Sequence, residues 1–236
     1  MIVSHQHRFI YIKTKKTASS SIEAALSTVC GPDDIITPTT EEVTEAFEGE
    51  RNAQNFRLDH PLVPKRPLIK RLLRRPERYY HPSIGYYEHM PAWRVKAYLG
   101  DQTWNAYFKF TFERNPWDRQ VSWYKYKTRK LDRKPSFVDF MANTRRAFVN
   151  NFELYSIGGE VVLDHVGRYE NLAGEFEAAM EKLGLAGRVK LPVLNTTAKP
   201  AALPGAAPYR GFYDERLRDT VADWYGREIK AFGYEY

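Results

Sequence analysis

The stretch YIKTKKTASSSIEAAL, residues 11–26, decides the fold class. It continues RFIYIK at 8–13, a run of aromatic and β-branched residues that reads as a buried strand. A hydroxyl-rich loop follows, then a helix expected over about 21–29, with Ser20 and Glu23 at capping-box spacing. A strand running through a short loop into a helix suits anion binding, because the first helical amides and the positive dipole end face the ligand. Loops that grip triphosphates are rich in glycine, yet the chain has none before Gly31. The Walker pattern GxxxxGK[ST] also places its lysine at the helix start, beside a hydroxyl for magnesium. Here Lys16 precedes the hydroxyls, which argues against a nucleotide kinase or hydrolase.

A second junction of the same kind lies further along. AYFKFTFE, 106–113, alternates aromatic and polar residues as a central strand would. It enters RNPWDRQVSWYKY, where Asn115 can cap, Pro116 suits the first helical position and Asp118 favours the first turn. A helix is expected at PAWRVKAYLG, ending at Gly100, and a third strand at VVLDHVGRYE, 161–170. A helix over about 171–183, a short strand near 189–193 and an amphipathic C-terminal helix carrying Leu217, Val221, Trp224, Tyr225 and Ile229 complete the pattern. Strands alternating with helices predict one α/β domain over 1–236 with a mostly parallel central sheet. Residues 31–82, punctuated by prolines, read as an irregular excursion with short helices near 41–47 and 69–74, and 198–208 as an exposed loop.

Composition sets the outer limits. The chain has 236 residues, 43% of them hydrophobic and 14% aromatic, which is a globular composition. Its one cysteine, Cys30, excludes an internal disulfide framework and argues against a cysteine-based metal site. The N-terminal segment has only a four-residue apolar run before charge returns, so neither a signal peptide nor a membrane anchor is expected, and the protein reads as soluble and cytoplasmic. The net charge of +7 points to an anionic partner. It is unevenly spread: no Lys or Arg stands between Lys16 and Arg51, whereas 57–78 carries eight basic residues against Asp59 and Glu77. That block is either solvated surface or a basic face that gathers an acidic substrate.

Ligands of open α/β sheets bind where strands end and helices begin. At the first junction Lys16 can neutralise an oxygen and Thr17, Ser19, Ser20 and Ser21 can donate hydroxyls; equally, Ser20 can be a plain cap with exposed lysines around it. At the second, Arg114 suits a bidentate grip on phosphate, with Ser122 two turns into the helix. The bland alternative pairs Arg114 with Asp118.

Together, KKTASSSI and RNPWDRQVSWY resemble the two signatures of the sulfotransferases that use 3′-phosphoadenosine 5′-phosphosulfate (PAPS). The first is similar to the 5′-phosphosulfate loop, written PKTGGTS or KTAGTS, and the second to the 3′-phosphate motif R-[DN]-P-x-x-R-x-x-S. The C-terminal FYDERLRDTVADWYGREIKAFGYEY extends the likeness over most of the chain. Lys15 stands in place of a proline, and Ala18 and Ser19 in place of glycines.

The resemblance implies a P-loop-NTPase-like three-layer α/β fold and a sulfuryl transfer from PAPS to an acceptor hydroxyl or amine, without a metal, leaving 3′-phosphoadenosine 5′-phosphate (PAP). Lys15, Lys16, Thr17, Ala18, Ser19, Ser20 and Ser21 would hold the phosphosulfate, and Arg114 and Ser122 the 3′-phosphate. Tyr169, in GRYENL, and Arg210, in YRGFYDE, are further candidates near the nucleotide. His89, placed like the base of some carbohydrate sulfotransferases, is the expected general base, with Glu88 as its fallback. His60 and His81 rank below it, and His165 reads as core. Trp117 and Trp123 are candidates to border the ligand. The excursion is expected to shape the acceptor site, and its basic half suggests an anionic saccharide or glycolipid. The competing classes are a non-catalytic polyanion or nucleic-acid binder using 57–78, and a kinase with a degenerate loop.

Overall fold

The computed structural model describes residues 1–39, 52–65, 68, 72–73, 81–191 and 208–236. Its centre is a five-stranded sheet of β1 (Ile2–Ser4), β2 (Phe9–Tyr11), β3 (Ile35–Ile36), β4 (Phe108–Glu113) and, beyond a separate small hairpin of β5 (Ser156–Ile157) and β6 (Glu160–Val161), β7 (His165–Arg168). The strand order is β3-β1-β2-β4-β7. β1 is antiparallel to both of its neighbours, while β2, β4 and β7 are parallel. Four of the five strands therefore point the same way, as the alternating pattern predicts.

Helices occupy both faces. In chain order they are α1 (Ser19–Ser27), α2 (Ala92–Ala106), α3 (Pro116–Thr128), α4 (Phe137–Ala142), α5 (Thr144–Ala147), α6 (Phe152–Tyr155), α7 (Leu172–Lys182), α8 (Glu215–Trp224) and α9 (Gly226–Phe232). The side-chain alternation of a strand splits the core accordingly. Val3, Ile10 and Ile12 meet Val95, Tyr98 and Trp104 of α2 on one face. Ile2, Phe9, Tyr11, Phe110 and Phe112 meet Ile22 and Leu26 of α1 and Phe176 and Met180 of α7 on the other. A third cluster joins α3, α4 and α8 through Trp117, Val121, Phe140, Leu217 and Val221.

Several elements differ from the sequence reading. β1 and β3 were not expected, since each is too short to show a period; β3 turns part of the excursion into an edge strand, and Ile36 also bridges Gln54. The capping box is not formed. α1 begins at Ser19 behind a left-handed Ala18, with no side-chain cap, because Glu23 is fully buried and bound to the Met1 amino group and Lys13 instead. The helix expected to stop at Gly100 breaks there, at φ 76°, and then resumes to Ala106. Residues 189–191 form no strand; Val189 is buried in the core as coil. The C-terminal helix divides at Tyr225. The short helix expected near 41–47, most of that near 69–74, residues 192–193 and all but the end of the 198–208 loop lie outside the described residues. Asn115 does cap α3, accepting from the Trp117 and Asp118 amides, with Pro116 at the first helical position.

Because β2 and β4 are adjacent and parallel, their C-terminal ends lie side by side. A buried polar network fixes that edge. Glu113, at the end of β4, accepts from Arg119 Nη1 (2.6 Å) and from Tyr155 Oη (2.9 Å). Arg119 is fully buried, also reaches Glu228 Oε1 at 3.0 Å and lies 4.4 Å from the Tyr225 ring centroid. One cation thus neutralises two carboxylates from different parts of the chain. Arg119→Met would leave Glu113 and Glu228 facing each other without a counter-charge, a loss of about 3–5 kcal/mol. Urea unfolding monitored by tryptophan fluorescence is the measurement; a loss below about 1 kcal/mol, the scale of an exposed pair, would contradict this reading of the network.

Candidate functional site

The loop between β2 and α1 is built from below. Ile12 N–H donates to Phe110 O (3.0 Å) and carries the β2–β4 pairing past the strand end. Thr14 Oγ1 donates to Phe112 O (2.6 Å), and Thr17 Oγ1 lies 2.8 Å from Thr14 Oγ1. Thr14 has spent its proton on the carbonyl, so Thr17 is the donor in that pair. The Thr17 hydroxyl is thereby turned into the fold, fully buried. Lys15 is fixed through its backbone: its N–H donates to Asn151 Oδ1 (2.9 Å) and its C=O accepts from Asn151 Nδ2 (3.0 Å).

Lys16 and Ala18 both have positive φ, 65° and 56°. This turn is the one glycine would make without strain, and Ala18 occupies a position where the resembling loops carry glycine. It aims the start of α1 upward. Among the described residues no acceptor meets the amides of Ser19, Ser20 or Ser21, the unsatisfied donors of a helix start. Burial, followed by the nearby Arg114 and Arg129, lowers the Lys16 pKa to about 8. Its ammonium lies 4.3 Å from the Tyr126 ring centroid and has no carboxylate partner among the described residues.

The second junction converges on the same point. Arg114 Nη1 donates to Lys16 O at 3.2 Å, so the two junctions touch directly. The guanidinium lies 4.1 Å from the Tyr169 ring centroid, which holds its plane. Its bidentate face is already taken: Nε and Nη2 meet Asp118 Oδ2 at 2.8 and 2.7 Å. The five guanidinium N–H groups leave one free on each terminal nitrogen. The ion pair with Asp118 is therefore real, and it orients Arg114 without exhausting it. Asp118, Ser122 and Tyr126 follow at intervals of four along α3 and so share one helix face. Since Asp118 touches Arg114 and Tyr126 touches Lys16, Ser122 lies on the face turned toward both. Arg129 covers Tyr126 at 3.9 Å, and Trp123 stacks on it at 5.8 Å.

His89 also reaches the start of the first loop, at Lys13. Arg57 bridges Gly85 just ahead of it, and Gly85 has φ 103°, where an added Cβ would lie 2.5 Å from Leu58 N. His89 itself has φ 56°, and its Nδ1 is 2.9 Å from Lys13 O. A carbonyl can only accept, so Nδ1 carries the proton and Nε2 holds the lone pair. Burial lowers the His89 pKa to about 4, against a smaller upward pull from Glu88, and the ring is neutral near pH 7. Nε2 makes no hydrogen bond among the described residues. Glu88 is committed elsewhere, to Lys13 Nζ at 2.5 Å and Thr39 Oγ1 at 2.8 Å. Burial pushes the Glu88 carboxyl up, but Lys13 beside it more than offsets this, and the net direction is down.

Other sequence candidates fall outside this convergence. His81 bonds Ser83, His60 packs on Tyr98, and His165 of β7 pairs with Glu175 of α7. Trp117 is core and donates to Arg218 O, while Trp123 reaches the site through Tyr126. Arg210 stands at one remove: its Nη2 meets Tyr236 O at 2.5 Å, and the Tyr236 ring packs on Trp117 at the start of α3. Sequence reasoning assigned no role to Asn151, Tyr126 or Arg129. Asn151 acts across 136 positions and carries no local signal; Tyr126 and Arg129 lie four and seven positions beyond Ser122, where extending the helix face would have found them. Among the described residues no group of three or more His, Cys, Asp or Glu gathers as a metal site, and no helix is long and apolar enough to cross a membrane.

Residues 1–235 match the sulfotransferase family, and the chain belongs to it. Membership supports sulfuryl transfer as the general chemistry of the chain. An uncharacterized protein of Archaeoglobus fulgidus is 34% identical over 114 residues, 46% of this chain and 93% of that one. The crystal structure of a sulfotransferase from Alicyclobacillus acidocaldarius aligns with 97% of this chain and 87% of its own, at 14% identity and a TM-score of 0.37.

The left-handed Ala18 predicts that Ala18→Gly removes backbone strain and raises unfolding stability by up to about 1 kcal/mol, net of the extra unfolded-state entropy. Urea denaturation measures this, and a destabilised variant would show that the loop does not hold that conformation.

Proposed function

We propose that the chain is a PAPS-dependent sulfotransferase, one domain over 1–236, that binds its donor across the two junctions. The observation that carries this reading is the contact of Arg114 with Lys16 at 3.2 Å, beside an ammonium and helix-start amides that have, among the described residues, no carboxylate partner and no acceptor respectively. Such a set fits two anionic groups on one ligand. Lys15, Lys16, Thr17, Ala18 and the Ser19–Ser21 amides and hydroxyls would surround the 5′-phosphosulfate, with Thr17 contributing backbone only. The free N–H groups of Arg114 and the Ser122 hydroxyl would take the 3′-phosphate. Tyr169 backs Arg114, and Arg210 closes the far side through the C-terminal segment.

When bound, PAPS supplies a sulfuryl group on a phosphate leaving group. The residues divide the remaining work. His89 Nε2 accepts the proton of the attacking hydroxyl as the oxygen–sulfur bond forms. Lys16 and the α1 amides stabilise the negative charge left on the phosphate oxygen as the old sulfur–oxygen bond breaks. Lys13 holds His89 through its carbonyl and Glu88 through its ammonium, which keeps the neighbouring carboxylate from competing as base. No metal has a role in this scheme. The acceptor is a hydroxyl or amine, with a carbohydrate or glycolipid as the class suggested by the basic stretch at 57–78, and the site is read as cytoplasmic.

Calorimetric titration with PAP in EDTA is expected to show binding that Arg114→Ala removes, while ATP binds weakly. Binding that requires magnesium, or that survives the substitution, would overturn the nucleotide site. Salt-sensitive binding to polyanions indifferent to Lys16 and Arg114 would favour the non-catalytic reading.

The pH dependence follows from the two shifted groups. His89, with a pKa of about 4, is a neutral base above that pH, and Lys16, with a pKa of about 8, is charged below it. The kcat/KM profile is expected to be flat from about pH 5 to 7, falling on the acid side as His89 protonates and on the alkaline side as Lys16 loses its charge. His89→Ala is expected to cost about 10²–10⁴ in rate and to abolish the acid limb. An acid limb near 6.5, the ordinary histidine value, would contradict the buried-base assignment.

A further inference from the structure

We infer that Asn151 is a positioning residue that sets the spacing between the two phosphate-binding junctions, so that one ligand can engage both. The inference rests on the donor reading above and extends it to a residue outside both motifs.

All of the Asn151 amide is in use. Oδ1 accepts the Lys15 N–H at 2.9 Å; Nδ2 donates to Lys15 O at 3.0 Å and to Glu113 Oε1 at 3.2 Å. It therefore grips the residue before Lys16 on both sides of the backbone, much as a neighbouring strand would. Glu113 Oε1 in turn accepts the Arg114 N–H at 2.8 Å. The path from one junction to the other is short: Lys15 backbone, Asn151 side chain, Glu113 carboxylate, Arg114 backbone. Every link is buried or half-buried, and Arg119 holds the carboxylate at 2.6 Å. Asn151 itself is fully buried, so solvent does not stand in for a lost link.

The consequence differs from general support of the fold. A residue that only stabilises would weaken binding of every ligand in proportion to the unfolded fraction. One that sets the span between two subsites matters most to a ligand that occupies both. Fixing two groups at the correct separation is where preorganisation contributes, and misplacement by about 1 Å can cost roughly 10²-fold. Asn151→Asp keeps the acceptor for Lys15 N–H and loses both donated bonds, to Lys15 O and to Glu113, so it tests the donated half of the grip. Tyr155→Phe removes a different bond to the same carboxylate, at Oε2, without touching Lys15, and serves as the stability control.

The experiment is the ratio of PAP affinity to adenosine 5′-monophosphate affinity, measured by calorimetry on the full chain for wild type, Asn151→Ala, Asn151→Asp and Tyr155→Phe. Melting temperatures are recorded alongside. Wild type is expected to prefer the bisphosphate. Both Asn151 variants should lower that preference by roughly tenfold or more, with monophosphate affinity nearly kept. Tyr155→Phe should lower the melting temperature and leave the ratio unchanged. Preserved preference in folded Asn151 variants overturns the positioning role while leaving the donor site intact. Absence of any bisphosphate preference in wild type overturns the donor reading, and this inference with it.

Discussion

The edge of the sheet depends on the buried carboxylate of Glu113. It stands at the end of a central strand, where a charge would ordinarily be costly, and is stable there because Arg119, Tyr155, Asn151 and the Arg114 amide all donate to it. Those donors come from α3, α6, the loop before α6 and the β4–α3 turn. One anion thus ties the end of β4 to the neighbouring helix α3 and to the distant stretch that carries Asn151 and Tyr155. Arg119 carries the tie onward to Glu228 in α9, so the C-terminal helices are part of the same assembly. The network is expensive to break, and through Asn151 it joins the β2–α1 loop to the end of β4.

Above that base the site separates its charges. Lys13, one turn of chain before Lys16, is neutralised by Glu23 and Glu88. Lys16 is left beside Arg114 and Arg129, and its ordinary pKa falls because burial and like charges disfavour the ammonium. A cation held in this way gains more from an incoming anion than one already paired. Across the loop, His89 is kept neutral by burial and fixed in one tautomer by the Lys13 carbonyl. The loop between β2 and α1 thus carries a cation without a carboxylate partner among the described residues, and a neutral imidazole bonds the backbone at its start.

The sequence is legible where chemistry is local. Asn115, Pro116 and Asp118 announced α3 because capping, a fixed φ and the helix dipole all act within one turn. The parallel pair β2 and β4 followed from two hydrophobic runs that each enter a helix. Lys16, Arg114 and Ser122 were legible through their motifs, and the structure brings the first two into contact and puts the third on the helix face between them. What was not legible was set by partners far away. Glu23 has the spacing of a cap but is drawn into an ion pair with Lys13. The Thr17 hydroxyl is turned inward by Thr14. Arg119 stood inside the quoted motif, but only the fold shows that it is buried between Glu113 and Glu228 rather than facing a ligand. Asn151 has no periodicity, cap or motif to mark it, since its partners lie 136 and 38 positions away.

The central claim is that these two junctions hold the two ends of one nucleotide. A crystal structure of the complex with PAP tests it most directly. The account predicts the 5′-phosphate against the Ser19–Ser21 amides and Lys16 Nζ, the 3′-phosphate against Arg114 and Ser122, and Asn151 still bonded to Lys15 and Glu113. A nucleotide bound elsewhere, or bound here with its two phosphates exchanged, would contradict it.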